Sequence, residues 1–84
     1  MNSYEAAANV SSKDEFLIFV AQFLQAYRQR PDSDPAVGNY IESMSAWVED
    51  MEGFYLNVGL PMPSLVGEGW RLLASVIAAG TIYE

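Results

Sequence analysis

Apolar side chains recur at spacings of three and four along three stretches of the chain, with proline-rich segments between them. That is the periodicity of helices with one dry and one wet face. The most sharply sorted stretch is residues 39–57, NYIESMSAWVEDMEGFYLN. At roughly 100° per residue, Tyr40, Ile41, Met44, Trp47, Val48, Met51, Phe54 and Tyr55 fall within an arc of about 140°. Glu42, Ser45, Glu49, Asp50 and Glu52 fall outside it. The pattern predicts a helix with its aromatic face in a core and its acidic face toward water or a basic partner.

An earlier stretch begins at Ser12. Ser12-Lys13-Asp14-Glu15 has the form of a capping box, in which the hydroxyl accepts from the Glu15 amide and the carboxylate reaches back to Ser12. Phe16, Phe19, Val20, Phe23, Leu24 and Tyr27 then form the predicted buried stripe. Ile18, Gln22, Gln25 and Gln29 lie opposite, polar but uncharged apart from one exposed isoleucine of an ordinary kind. Pro31 ends this helix, because the residue before a proline is pushed out of the helical region. Residues 31–35 form a loop. The next helix starts either with Asp34 as cap and Pro35 in the first turn, or later at Asn39 with Glu42. Gly53 offers one end to it. The apolar arc runs on through Phe54 and Tyr55, favouring an end at 57–59.

Leu60-Pro61-Met62-Pro63 reads as an extended connector. The last helix starts at Ser64 or Gly67 and runs to Tyr83. Trp70, Leu73, Val76, Ile77 and Gly80 share a side, and Leu72, Ala79 and Tyr83 carry the apolar surface further around. Only Arg71 and Ser75 keep a polar stripe, with Ile82 between them. A helix apolar on most of its circumference is expected to be covered on most sides. Either the N-terminal segment covers it, or a second copy of the chain does. Residues 1–11 are small and polar with weak periodicity, and are expected to form a flexible tail, though Tyr4 and Val10 offer contacts to the body. No period-two run suggests a sheet. The predicted fold is an all-α, three-helix bundle over residues 12–84, a single domain, with both tryptophans buried.

Composition narrows the function classes. The 84 residues are enough for one domain. With no cysteine and no histidine, the chain lacks disulfides, thiolate chemistry and the usual zinc ligands. Its serines have no base to activate them. The net charge is −7, with Lys13, Arg28, Arg30 and Arg71 as the only cations, so nucleic acid and anionic membranes are poor partners. The N-terminus has no basic start followed by an apolar run, and the longest apolar runs fall short of the ~20 residues of a membrane span. A cytoplasmic location is expected.

Glu49, Asp50 and Glu52 form the densest acidic cluster, but metal binding needs carboxylates converging from several elements. We read them as a solvated face, and expect no enzyme activity, no metal and no cofactor. Two surfaces are the candidates for contact. One is a partner face of Glu42, Ser45, Glu49 and Glu52, with Tyr55 and Met62 as apolar anchors for a basic protein. The other is a homodimer surface of Leu72, Val76, Ala79, Gly80 and Tyr83, where small residues permit close helix approach.

Trp47, Asp50, Gly53, Phe54, Tyr55, Asn57 and Gly59, then Pro61, Trp70, Ala74 and the terminal Tyr83-Glu84, make a distinctive pattern. Phe16, Phe19 and the Tyr40-Ile41 start fit the same pattern. It resembles that of a small uncharacterised bacterial family, a domain of unknown function. Gly67 and Gly69, directly before Trp70, are looser than that family's pattern. The resemblance implies a compact helical domain in bacteria and brings no known activity or cofactor. The function expected from the residues is a non-enzymatic protein-interaction module, of an inhibitor or immunity type. The rivals are a small-ligand or regulatory domain with a pocket between Trp47, Phe54 and Trp70, and a structural homodimer.

Overall fold

The computed structural model describes residues 3–82. They form four helices: α1 (Ser3–Ala8), α2 (Lys13–Arg28), α3 (Pro35–Val58) and α4 (Gly67–Gly80). The described residues contain no strand, so the all-helical prediction stands, with a count of four instead of three.

Local chemistry accounts for the helix limits. The Ser12 hydroxyl accepts from the Glu15 amide, opening α2 as expected. The Glu15 carboxylate reaches one residue further back than a capping box requires. It accepts from the Ser11 amide at 2.9 Å and the Ser11 hydroxyl at 2.6 Å. Of the two possible starts of α3 the earlier one is used, with Asp34 accepting from the Ala36 amide and Pro35 in the first turn. Gly53 sits inside the helix. The end comes at Gly59, whose φ of 72° is the left-handed conformation that glycine adopts without penalty.

α2 is the spine. Phe16, Phe19, Val20, Phe23, Leu24 and Tyr27 are all buried, as their spacing predicts. α3 packs along one flank of α2 and α4, less extensively, along another, while the backbones of α3 and α4 approach each other at few points. At the C-terminal end of α2, Gly38 lets the start of α3 approach closely, since a Cβ there would lie 3.2 Å from Arg28 Nε. The Tyr27 hydroxyl accepts from the Asp34 amide, and the Arg30 guanidinium donates to the Thr81 carbonyl, joining the interhelix loop to the end of α4.

The first correction concerns residues 1–11. Their described part is not a loose tail: α1 lies against α4, with Ala7 fully buried and Val10 nearly so. Small residues meet on both sides, because Ala74 and Ala78 of α4 are also fully buried. This contact needs alanines close together, and six residues are too few to display a helical period. The N-terminal segment thus covers one side of α4, the first of the two alternatives raised above.

The second correction concerns Trp47. Trp70 is 6% exposed, packed 5.5 Å from Phe16, whereas Trp47 is 43% exposed. The apolar arc of α3 is wider than one neighbour can cover, and α3 has essentially α2 alone. Ile41 and Met51 are buried, Met44, Val48 and Tyr55 half-buried, and Tyr40 and Phe54 exposed.

Candidate functional site: an apolar cleft between the third and fourth helices

Because α3 and α4 both lean on α2 without closing on one another, the apolar surplus of each faces a shared cleft. One half, of about 340 Å³, lies between Trp47, Met51 and Tyr55 of α3 and Trp70 and Leu72 of α4, with Met62 of the connector at its end. The other half, of about 400 Å³, lies between Tyr40, Ile41 and Met44 and Val76, Ile77 and Gly80, with Phe16 of α2 beneath. Val48 and Leu73 line both halves, so the two adjoin along the same pair of helices. No charged side chain lines either half. Trp47 is the centre of a three-ring group, 5.4 Å from Phe54 and 6.1 Å from Tyr55, both edge-on.

The structure splits the predicted partner face in two. Tyr55 and Met62 line the cleft. The acids run instead beside α2, whose cations meet them. Arg28 pairs with Glu42 at 2.8 Å, and Lys13 pairs with Glu52 at 2.8 Å while donating to the Glu49 carbonyl. Ser45 is half-buried on the same line. α3 itself carries no cation, as its sequence shows, but the neutralising charges come from α2. Two of the three acids of the predicted face, Glu42 and Glu52, are thus paired within the chain.

Of the predicted self-association residues, Leu72, Val76 and Gly80 line the cleft. Ala79 is half-buried outside it, and Tyr83 lies outside the described residues. The pocket envisaged between Trp47, Phe54 and Trp70 exists in altered form, since Phe54 stands against Trp47 without lining it. Sequence reasoning passed over Leu73 and Tyr40 as cleft residues by assigning both to a core. The signal was present: two helices with apolar arcs too wide for one neighbour. Among the described residues no group of three or more acids is placed to hold a metal ion, and no helix is long and apolar enough to cross a membrane.

Three surface carboxyls are held below their ordinary range. The Ser11 hydroxyl and amide do this for Glu15, the Arg30 guanidinium for Asp32, and the Lys13 ammonium for Glu52. A folded-state pKa lower than the unfolded one contributes stability above the unfolded pKa, and loses it as pH falls through the folded one. Stability should therefore decline as pH drops below about 4, where unfolded carboxyls begin to bind protons. Melting temperatures from neutral to acid pH test this. Glu15→Gln and Glu52→Gln together should flatten the acid limb, and an unchanged slope would assign it to other groups.

No curated protein and no solved structure matches the chain. A family model does match, over residues 12–84, which takes in α2, α3 and α4 and leaves α1 outside. The cleft thus lies wholly within the matched region, and the chain belongs to the family of unknown function DUF7660.

Proposed function

We propose that this domain is a non-enzymatic protein-interaction module whose working surface is the α3–α4 cleft, where an apolar helix of another polypeptide is seated. The observation that carries this reading is the cleft's composition. It is long, open and uncharged, and flanked by exposed rings. Helix-in-groove recognition uses such a surface, reading anchors at spacings of three, four and seven. The volume of each half also falls within the range of small-molecule sites, but such sites carry a few placed polar groups that orient the ligand. Here the described residues include no buried polar or charged side chain. The non-catalytic part of the reading rests on the side-chain inventory, which lacks histidine and cysteine. The acids beside α2 keep an apolar surface soluble, and Glu42 and Glu52 are already engaged by cations of the same chain.

Site-specific photo-crosslinking in the native host tests the proposal. A photoreactive residue at Leu72, on the cleft, should give discrete polypeptide adducts. The same residue at Ile18, exposed on α2, serves as control and should give none. Adducts at both positions alike, or no polypeptide adduct at Leu72, would overturn the reading.

A further inference from the structure

We infer that the helix seated in the cleft is α4 of a second copy of this chain, so that the module is a two-fold dimer with each α4 lodged against the other's cleft. This rests on the cleft reading above and names its occupant. Three observations carry it.

The first is that the chain bears both the groove and a ridge that suits it. Leu72 and Val76 stand one turn apart on α4, 64% and 58% exposed. Gly80 lies in the cleft wall of the same helix, and a Cβ there would meet nothing within 4 Å, whereas Gly69 is already covered by Leu65 of its own chain. A small residue beside a two-residue ridge is what close approach of two helices requires. A two-fold axis makes one patch serve as both donor and receiver, and two-fold dimers are the commonest assembly.

The second is area. At about 150–250 Å² for a large aromatic and somewhat less for Leu and Val, the exposed parts of Tyr40, Trp47, Leu72, Leu73 and Val76 amount, when fully covered, to roughly 500 Å² per copy. Phe54 and Met62 at the rim raise this to roughly 700 Å² per copy, somewhat below the ~800 Å² per partner of a standard interface.

The third is charge. Two bodies of net charge −7 repel, so pairing requires a contact that brings no acids together. The cleft is that contact, because no charged side chain lines it. The acids of α3 beside α2 are partly neutralised by Lys13 and Arg28. Pairing of this kind tightens as salt screens the repulsion, the reverse of binding to a basic partner.

Sedimentation of the purified full chain at micromolar concentration, in low and high salt, provides the test. The expected result is a dimer that strengthens with salt. Leu72→Glu and Val76→Glu should each weaken it by about tenfold or more, since a charge would be buried without a partner. Both positions are exposed in the single chain, so helix content should not change. Trp47 emission should shift to the blue on dimerisation. A wild-type monomer in both salts, or a dimer indifferent to both substitutions, would overturn the inference. If that monomer still yields a heterologous adduct at Leu72 in cells, the occupant is wrong and the cleft reading survives. If neither adduct nor dimer is found, both fail.

Discussion

Replacing Trp70 with alanine should cost about 3–5 kcal/mol, the range for deleting a large core aromatic. The same change at Trp47 should cost about 1 kcal/mol or less when the protein is dilute enough to keep copies apart. The two residues look alike in sequence, each an indole on an apolar helical face. Trp70 is 6% exposed, stacks obliquely on Phe16 and closes the floor where α4 meets α2. Trp47 is 43% exposed and touches mainly Phe54 and Tyr55 of its own helix. Deleting Trp70 opens a void that the surrounding side chains cannot refill, whereas deleting Trp47 trims the wall of an open cleft. In a domain of 84 residues the first loss is a large fraction of total stability. Denaturant midpoints of the two variants separate the cases. Equal losses would mean that α3 packs on α4 in solution.

Removing residues 1–10 should be the next most damaging change, at roughly 2–4 kcal/mol for the burial lost with Ala7, Val10 and the α4 surface they cover. Ala74 and Ala78, now fully buried, would lose part of their cover. Ser11 and Ser12 remain in such a variant, so the capping of α2 is kept and the loss reports α1 alone. A lowered urea midpoint with a near-native slope is expected. An unchanged midpoint would show that α1 rests on the domain without supporting it. Because the family match begins at residue 12, the measurement also says how far α1 alters the stability of the matched domain.

Which parts were legible in the sequence follows from how local their causes are. α2 was read residue by residue, because its cap, its stripe and its stop at Pro31 are all encoded within the segment, and because a central helix buries its whole stripe. The start of α3 was narrowed to two caps of similar quality, and its end was placed within a residue or so by continuation of the arc. α1 was missed because an alanine contact leaves no hydrophobic contrast to detect. The exposure of Trp47 was missed for a different reason. An apolar arc records how much surface a helix offers and says nothing of how many neighbours arrive to cover it. The pairing of the acidic line was hidden for a related reason. Its charges are on one helix, and the cations that answer Glu42 and Glu52 are 14 and 39 residues away in the chain. The apolar face proposed for self-association, by contrast, was located by the excess of α4's apolar circumference alone, and Leu72, Val76 and Gly80 do line the cleft.

In a closed bundle each helix is steadied by two others, and loosening one loosens all. Here α3 and α4 are joined mainly through α2, and their backbones approach each other at few points. Energetic coupling between the two walls of the cleft is therefore expected to run largely through the spine, and groups without shared partners tend to contribute additively. α3 rests on α2 alone, whereas α4 meets α2 less extensively and is backed by α1. Local opening follows such differences. The position of the α3 wall is thus set by its seam with α2, fastened near its two ends by Arg28–Glu42 and Lys13–Glu52, while the opposite wall is held by α1 and α2 together.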